Sequence, residues 1–580
     1  MNKVYAIDTE TTGLKHSHGH YAFAIGYGVL NSDPTVIYPG IEPLDDLLKL
    51  SNDPSIEWVG HNIGFDLPFL KDYGIELRGT LHDTLIASHV YNNLEEGKSL
   101  DVLATKYCGI GNTEDAALDK WFTDNKYKKD ERKYEDVPFE IMNPYLQADI
   151  RRTLALFMFY RDKGVTDDPA YKAEMEVLPI ITNIVTRGMC VDVAYAKQEF
   201  DKATKIMATI ENEVLCEYGI ENIASTAQIA DALFTRGGLT CVTHTDKGNI
   251  CLDEQALKKY THPLIDKVLM HRDINKLTST YLMAIIEKSH EGRLHSGLRQ
   301  VGACTGRMSS NSPNLQNLPR TKKDSPVDIR KAFITEKNSL LLFVDLSQIE
   351  LRILAHYSKE PRMISTLKAR EGDLHKETAI AMFGESNKEL RTIAKTLAFS
   401  VIYGAGKEQI ARQLNQDLPG RNFTTTQTAD FKYKFYKGYP QVQQLVWDIQ
   451  KRVAERGYVQ GMSGKKYYVD KKKSYVALNY LCQGESACLF KEGMLRVDKL
   501  ISDKLSTLVN VVHDEYIFQI NYKDTDLCYQ IVKEIENDDR WRVPIFSGAS
   551  FSLTNWSDKK DILYADLESG SWVRTILSSI

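Results

Sequence analysis

The 580-residue chain has no apolar run approaching the roughly 18 residues that a membrane helix needs, and no signal-peptide pattern opens it. No membrane partner is therefore expected. It has no C-x-x-C pair either. Nine cysteines lie scattered at positions 108, 190, 216, 241, 251, 304, 482, 488 and 528. An odd, unpatterned set excludes a disulfide framework or a structural zinc site and fits reduced thiols in a cytoplasm. The chain also lacks an excess of positive charge. Its net charge of −5 by itself argues against a nucleic-acid binder, yet residues 430–475 hold eleven Lys and Arg against four Asp and Glu. A local patch can bind phosphates on an acidic protein. What is present is ordinary for a globular protein: 43% hydrophobic and 26% charged residues, with length for two to four domains.

One stretch organises the rest. Leu340 to Val344 are five apolar residues in a row, read as a buried strand, and the run ends on Asp345. Helical spacing follows, with Leu346, Ile349 and Ile353 on one face. A second apolar run, Leu508 to Val512, ends on His513-Asp514-Glu515 and resumes as Tyr516 to Ile520, a hairpin with acids at its tip. If these strands are neighbours, Asp345 and Asp514 meet at one sheet edge, where paired Mg²⁺ ions would hold two repelling carboxylates together. Alone, Asp345 would simply start a turn and Asp514 tip a hairpin. Between them, Arg391, Lys395, Phe399 and Tyr403 recur every four residues. On a helix they form one stripe, cationic at its start and aromatic at its end, suited to a triphosphate and a base. Ser347 and Glu350 have the spacing of a capping box.

The N-terminal part has its own acids. Lys3 to Glu10 reads as a short strand carrying Asp8 and Glu10 on one face. Gly60-His-Asn62-Ile-Gly-Phe65-Asp66 brings another acid to the start of a helix. Tyr145-Leu-Gln-Ala-Asp149 sets a phenol and a carboxylate one helical turn apart. Further on, a helix ends at Gly188 and a short strand follows. Helical spacing then runs from Ala194 to about Glu217 and from Asp253 to Lys288, with a polar loop tip at 243–248.

The motifs around Asp345, Asp514 and the 391–403 stripe resemble those of family A DNA polymerases, the class of bacterial DNA polymerase I and its phage relatives. Thr305-Gly-Arg307-Met-Ser-Ser-Asn-Ser-Pro-Asn-Leu-Gln-Asn-Leu-Pro319 and Asn479-Tyr-Leu-Cys-Gln483-Gly match that family too. The four N-terminal carboxylates and Tyr145 resemble a proofreading 3′→5′ exonuclease. The resemblance covers about residues 1 to 556. It implies an α/β multidomain fold, with a ribonuclease H-like exonuclease domain over 1–170 and a right-hand polymerase domain over 171–580. Within the latter it implies a thumb near 194–290, fingers near 359–445, and a palm over 171–193, 291–358 and 446–580.

The resemblance also implies roles. Asp8, Glu10, Asp66 and Asp149 hold two metal ions while Tyr145 orients the attacking water. Asp345 and Asp514, with the Leu346 carbonyl, hold two Mg²⁺, replaceable by Mn²⁺, and Glu515 is auxiliary. His375, Arg391 and Lys395 contact the triphosphate, and Lys395 can protonate pyrophosphate. Phe399 faces the sugar, Glu350 gates against a 2′-OH, and Tyr403 fills the templating position. Arg307, Asn479, Gln483 and His513 touch DNA near the primer end. Primer-template DNA and dNTPs are the expected partners, with a helicase and a single-strand binding protein as replication partners. No insert of the thioredoxin-recruiting kind stands out. The start of the chain at the exonuclease resembles phage replicative enzymes, in a bacterial or phage-infected cytoplasm. Three features depart from the pattern: the segment from Lys465 to Asn479 is shorter than in bacterial relatives, Tyr475 stands where they carry an arginine, and residues 557–580 extend past the family's usual end. The rival reading is an exonuclease whose polymerase half only grips DNA.

Overall fold

The computed structural model describes residues 3–241, 243–245, 248–320, 325–418 and 420–573. The expected loop tip at 243–248 falls partly outside them. Among the described residues no helix is long and apolar enough to cross a membrane.

The N-terminal sheet has five strands in the order Thr35–Ile37, Ala22–Val29, Val4–Thr11, Glu57–Gly60, Thr80–Asp83. The first three run antiparallel and the last two join in parallel. Alternation along Val4–Thr11 buries Ile7 and Thr9 on one face and turns Asp8 and Glu10 to the other. The 24-residue helix Phe139–Asp162 packs over that strand through Leu146, Ile150, Leu154 and Phe157. Gly26 makes the approach possible. It lies opposite Asp8 in register, and a Cβ there would stand 2.7 Å from Leu146. Tyr145 and Asp149 are thereby brought down onto the acid-bearing strand.

The helix Pro169–Arg187 joins the two halves. Asp168 caps it by accepting from the Ala170 N–H at 2.8 Å, and Pro169 presets the first turn. Its Tyr171 and Leu178 enter the N-terminal core, while Val177, Ile180, Ile181 and Ile184 enter the main core. It ends at Gly188, φ +65°, before the strand Met189–Cys190, as the sequence predicts.

The second sheet is antiparallel throughout, in the order Thr507–Val512, Glu515–Asn521, Ser339–Leu346, Ser547–Ser552, Lys560–Ile562. The run Leu340–Val344 is continuous in apolarity because both faces are covered. Leu340, Leu342 and Val344 face one core with the helices Ile349–Ser358 and Ala477–Ile501. Leu341 and Phe343 face another with Ile517 and Trp556. The neighbour of Ser339–Leu346 is the return strand Glu515–Asn521, not Thr507–Val512, so Asp345 stands in register with Glu515. Around this sheet lie two helical groups. One pairs Val193–Tyr218 with Pro263–Lys276; the other runs from Pro361–Leu367 to Pro440–Arg456.

The capping box expected at Ser347 and Glu350 does not form. Gln348 takes a left-handed conformation, φ +52°, the helix starts at Ile349, and no side chain caps it. A box does form elsewhere, at Thr424 and Gln427, where the preceding backbone is extended.

Two candidate active sites

In the N-terminal half, ligand oxygens of Asp8, Glu10 and Asp149 all lie within 4.8 Å of one another. Asp66, the first residue of its helix, sits behind them and accepts from the Thr9 N–H at 3.1 Å and the Thr9 hydroxyl at 2.6 Å. Loss of hydration, and then repulsion from neighbouring carboxylates (the cluster's own for Asp8 and Glu10, Asp83 for Asp66, Asp115 for Asp149), push these carboxyls up: Glu10 to about 8, Asp66 to about 7, Asp149 to about 6, and Asp8 well above the usual range. Burial, then Glu10 and Asp149, also raise the Tyr145 phenol, which hydrogen-bonds Asp149. An all-oxygen set that is costly to ionise without a counter-charge suits a hard divalent cation. All five residues expected here are brought together.

Sequence reasoning missed Arg152. Fully buried one turn after Asp149, it donates to that carboxylate at 2.8 Å, pairs with Asp115 at 2.6 Å and Glu114 at 3.2 Å, and reaches the Gly111 carbonyl. It fixes how Asp149 faces the cluster. An i, i+3 Asp–Arg pair on a helix was the available signal.

In the second half, Asp345 ends its strand and Asp514 occupies the two-residue turn between Val512 and Glu515. His513 in that turn has φ +55° and is exposed. The Leu346 N–H donates to the Asp514 carbonyl at 3.0 Å, locking the two segments side by side. Asp345 keeps an exposed edge. Even so, the protein mass around it limits its hydration, Glu515 and Asp514 repel it, and its pKa is pushed up to about 7. The other acids have partners of their own. Arg307 donates to Glu350 at 2.7 Å and stands 3.4 Å from Asp514, which also accepts from the Ser486 hydroxyl at 3.2 Å. Glu515 pairs with Lys559 at 2.5 Å. Among the described residues, no second trio of acidic, His or Cys ligand atoms converges as closely as the N-terminal one. The acids nevertheless offer the same hard oxygen donors, so the set fits divalent cations.

The helix Lys388–Ile402 reaches this region through Tyr403, just past its end, beside Glu350 and Gln483. It buries Ile393, Ala394, Leu397, Ala398 and Val401 and leaves Arg391 and Lys395 exposed and Phe399 half-buried on the opposite stripe. Arg391 pairs with Asp373 at 2.8 Å, and the rings of Phe399 and the buried His375 are 6.0 Å apart. Burial and the Arg391 charge lower the His375 imidazole to about 4. Tyr403, just past the helix, accepts from Gln483 at 3.0 Å, and Asn479 lies one turn before Gln483. Tyr475 is exposed and packs its main chain against Gly404. Lys559 and Ser486 had no motif to mark them. Lys559 lies just past Trp556, in a stretch that docks through the edge strand Lys560–Ile562 and through Trp572 on Phe551. A cavity of about 1050 Å³ separates the two halves, lined by Asn62, Phe65 and Lys98 on one side and Arg299, Gln300 and Cys304 on the other.

Comparison with known proteins finds a family for each half of the chain. The model for DNA polymerase family A matches residues 193–558, and that for a 3′-5′ exonuclease matches residues 2–163. DNA polymerase I of Synechocystis sp. is 31% identical over 504 residues, 80% of this chain and 49% of that protein. DNA polymerase I of Helicobacter pylori strain J99 is 29% identical over 526 residues, 87% of this chain and 55% of that protein. The chain thus spans about half the length of the curated relatives it matches. A solved structure, the polymerase domain of Pol1 from M. smegmatis in complex with DNA primer-template and dNTP, superposes with a TM-score of 0.81. It is 22% identical, and the match covers 96% of each chain. That likeness is one of fold. With a family match over well over half its length, laid on the sheet that carries Asp345 and Asp514, the chain belongs to DNA polymerase family A, its polymerase domain preceded by a 3′-5′ exonuclease domain.

Proposed function

We propose that this chain extends a primed DNA template with dNTPs at the Asp345–Asp514 centre and removes mispaired 3′ ends at the Asp8–Glu10 centre. The observation that carries the reading is the pair of separate carboxylate centres on two sheets of one chain. At the polymerase centre Asp345, Asp514 and the Leu346 carbonyl would hold two Mg²⁺, or Mn²⁺ in their place; at the exonuclease centre Asp8, Glu10, Asp66 and Asp149 would do so. Such ions, when bound, lower the pKa of the attacking oxygen and steady the leaving group.

The chain's own residues then select and orient. Arg391, Lys395 and His375 bind the triphosphate, and Lys395 is the proton donor to pyrophosphate. Phe399 faces the sugar. Glu350, held by Arg307 and free of any capping duty, excludes the 2′-OH. Tyr403 closes the templating position with Gln483 beside it. Arg307, Asn479, Gln483 and His513 read the primer end, where every correct pair presents minor-groove acceptors. Glu515, tied to Lys559, is auxiliary. Tyr145 orients the water at the exonuclease.

Residues 1–170 form the exonuclease unit in this reading and 171–580 the polymerase, with thumb 194–290, fingers 359–445 and palm the remainder. The M. smegmatis relative's complex with primer-template and dNTP supports the substrate assignment. The same reading gives the chain a replicative role in a bacterial or phage-infected cytoplasm, beside a helicase and a single-strand binding protein; that relatives named DNA polymerase I are bacterial supports the bacterial setting alone. Primer extension by an Asp8→Ala protein, with and without Mg²⁺, tests the reading. Template-directed, metal-dependent elongation is expected. DNA binding without elongation would instead favour a nuclease whose second half only grips DNA.

A further inference from the structure

One buried charged cluster has no part in either centre as described. Lys491, on the inward face of the helix Ala477–Ile501, is 5% exposed. Its ammonium lies 2.9 and 2.8 Å from the two Glu174 carboxylate oxygens, 3.0 Å from the Gln300 carbonyl and 2.9 Å from the Gly306 carbonyl. Glu174, on the joining helix Pro169–Arg187, is equally buried. It also accepts from Lys465 at 3.2 Å and from the Gln300 amide at 2.7 Å. Four segments distant in sequence therefore meet at one carboxylate and two ammoniums.

Burying such a cluster is a poor way to gain stability, because desolvation consumes most of the attraction. Its directed hydrogen bonds say more. Lys491 grips the main chain at Gln300 and at Gly306, two points of the loop that ends in Arg307. Gly306 has φ +85°, and a Cβ there would stand 2.4 Å from the Lys465 ammonium, so the second lysine closes on the same residue. The very next side chain, Arg307, bridges Glu350 and Asp514.

We propose that Lys491 and Glu174 are positioning residues for Arg307: they fix the Gly306 carbonyl, and so the reach of the guanidinium into the minor groove at the primer terminus. This rests on the polymerase reading above. It also ties the helix that leaves the exonuclease half to the residue that inspects the primer end.

The test is a cycle in the Asp8→Ala protein with Lys491→Met, Arg307→Ala and the double variant. Single-turnover extension is measured from primers ending in guanine or in 3-deazaguanine, which lacks the minor-groove ring nitrogen. Lys491→Met leaves Glu174 paired with Lys465, so one cation faces one anion. The parent is expected to extend the 3-deazaguanine primer about ten- to a hundred-fold more slowly. Lys491→Met should lose most of that discrimination, and the double variant should be no slower than Arg307→Ala. A merely structural lysine would lower the amount of folded protein and leave the ratio between primers intact. Should Lys491→Met not fold by circular dichroism, Glu174→Gln, which keeps an oxygen for Gln300, carries the same comparison. Retained discrimination, or multiplicative losses in the double variant, overturns the proposal. A parent that extends neither primer overturns the polymerase reading and this proposal with it.

Discussion

The two acidic centres treat their carboxylates in opposite ways. At the exonuclease centre Asp8, Glu10, Asp66 and Asp149 are packed together, and one arginine, Arg152, stands behind Asp149 rather than among the four. At the polymerase centre Glu350 and Asp514 lean on Arg307, Glu515 on Lys559, and Asp345 is left to face the edge. On the proposed reading the first is assembled for cations before any substrate arrives. The second has its charges answered from within, so that on the proposed reading nucleotide, primer and metal must displace or join those contacts. Trimming an end needs little more than the end itself. Copying a template requires that the centre be completed only when the correct pair is in place.

The largest effect expected from this contrast is complete separation of the two activities. Asp345→Asn should reduce extension by on the order of 10³-fold or more while degradation of single strands persists, and Asp8→Ala should do the reverse. Gel-resolved extension and degradation assays on the same preparations check it. Loss of both activities in a folded Asp345→Asn protein would join what the structure keeps apart.

Next comes the substrate-shaped side of the polymerase centre. On the proposed reading Phe399 offers no hydroxyl beside the incoming sugar, so a dideoxynucleotide would leave a polar group unpaired, at roughly 1–3 kcal/mol or about ten- to a hundred-fold. Phe399→Tyr should erase most of that discrimination with dNTP use little changed. Competitive ddNTP/dNTP termination in the Asp8→Ala background reads it, and equal termination by both proteins would remove the 391–403 helix from the sugar.

The pre-assembled character of the exonuclease centre depends on Arg152. Arg152→Met should lower exonuclease turnover about 10- to 100-fold, as loss of a ligand's outer support does, and leave extension alone. Unchanged turnover would show that Asp149 is held by the cluster itself.

A smaller effect lies at the junction. Although burial alone would raise it, Lys491 and Lys465 hold the Glu174 carboxyl down at about 2, against an ordinary 4.5. A carboxyl lowered in the folded state contributes stability that is full above pH 4.5 and lost as pH falls toward 2. Glu174→Gln should therefore flatten the acid side of the melting profile in that window. The exonuclease acids, raised by folding, cannot produce that loss. An unchanged acid slope would show that the lysines do not hold the carboxylate ionised.

What could be read from the sequence follows the range of the interaction. Asp8 with Glu10, and Tyr145 with Asp149, are local pairs whose face is set by strand or helix period, and Asp345 stood at the end of a run too apolar to be anything but a covered strand. Which strand of the hairpin pairs with Ser339–Leu346 stayed open, because two apolar runs flank the turn at Asp514 and only pairing decides which lies inside. The capping box at Ser347 failed for a local reason: the left-handed Gln348 removes the extended residue that a cap requires, and Glu350 turns to Arg307 instead. Glu174, Lys465 and Lys491 stayed hidden, since their pairings span 291 and 317 residues. Lys559 stayed hidden because it lay past the last recognised motif.

Titrating Mn²⁺ into the DNA-free protein by calorimetry, for wild type, Asp8→Ala and Asp345→Asn, tests the contrast most directly. The account predicts tight binding in wild type and in Asp345→Asn that disappears in Asp8→Ala. Tight binding that survives Asp8→Ala and is lost in Asp345→Asn would contradict it.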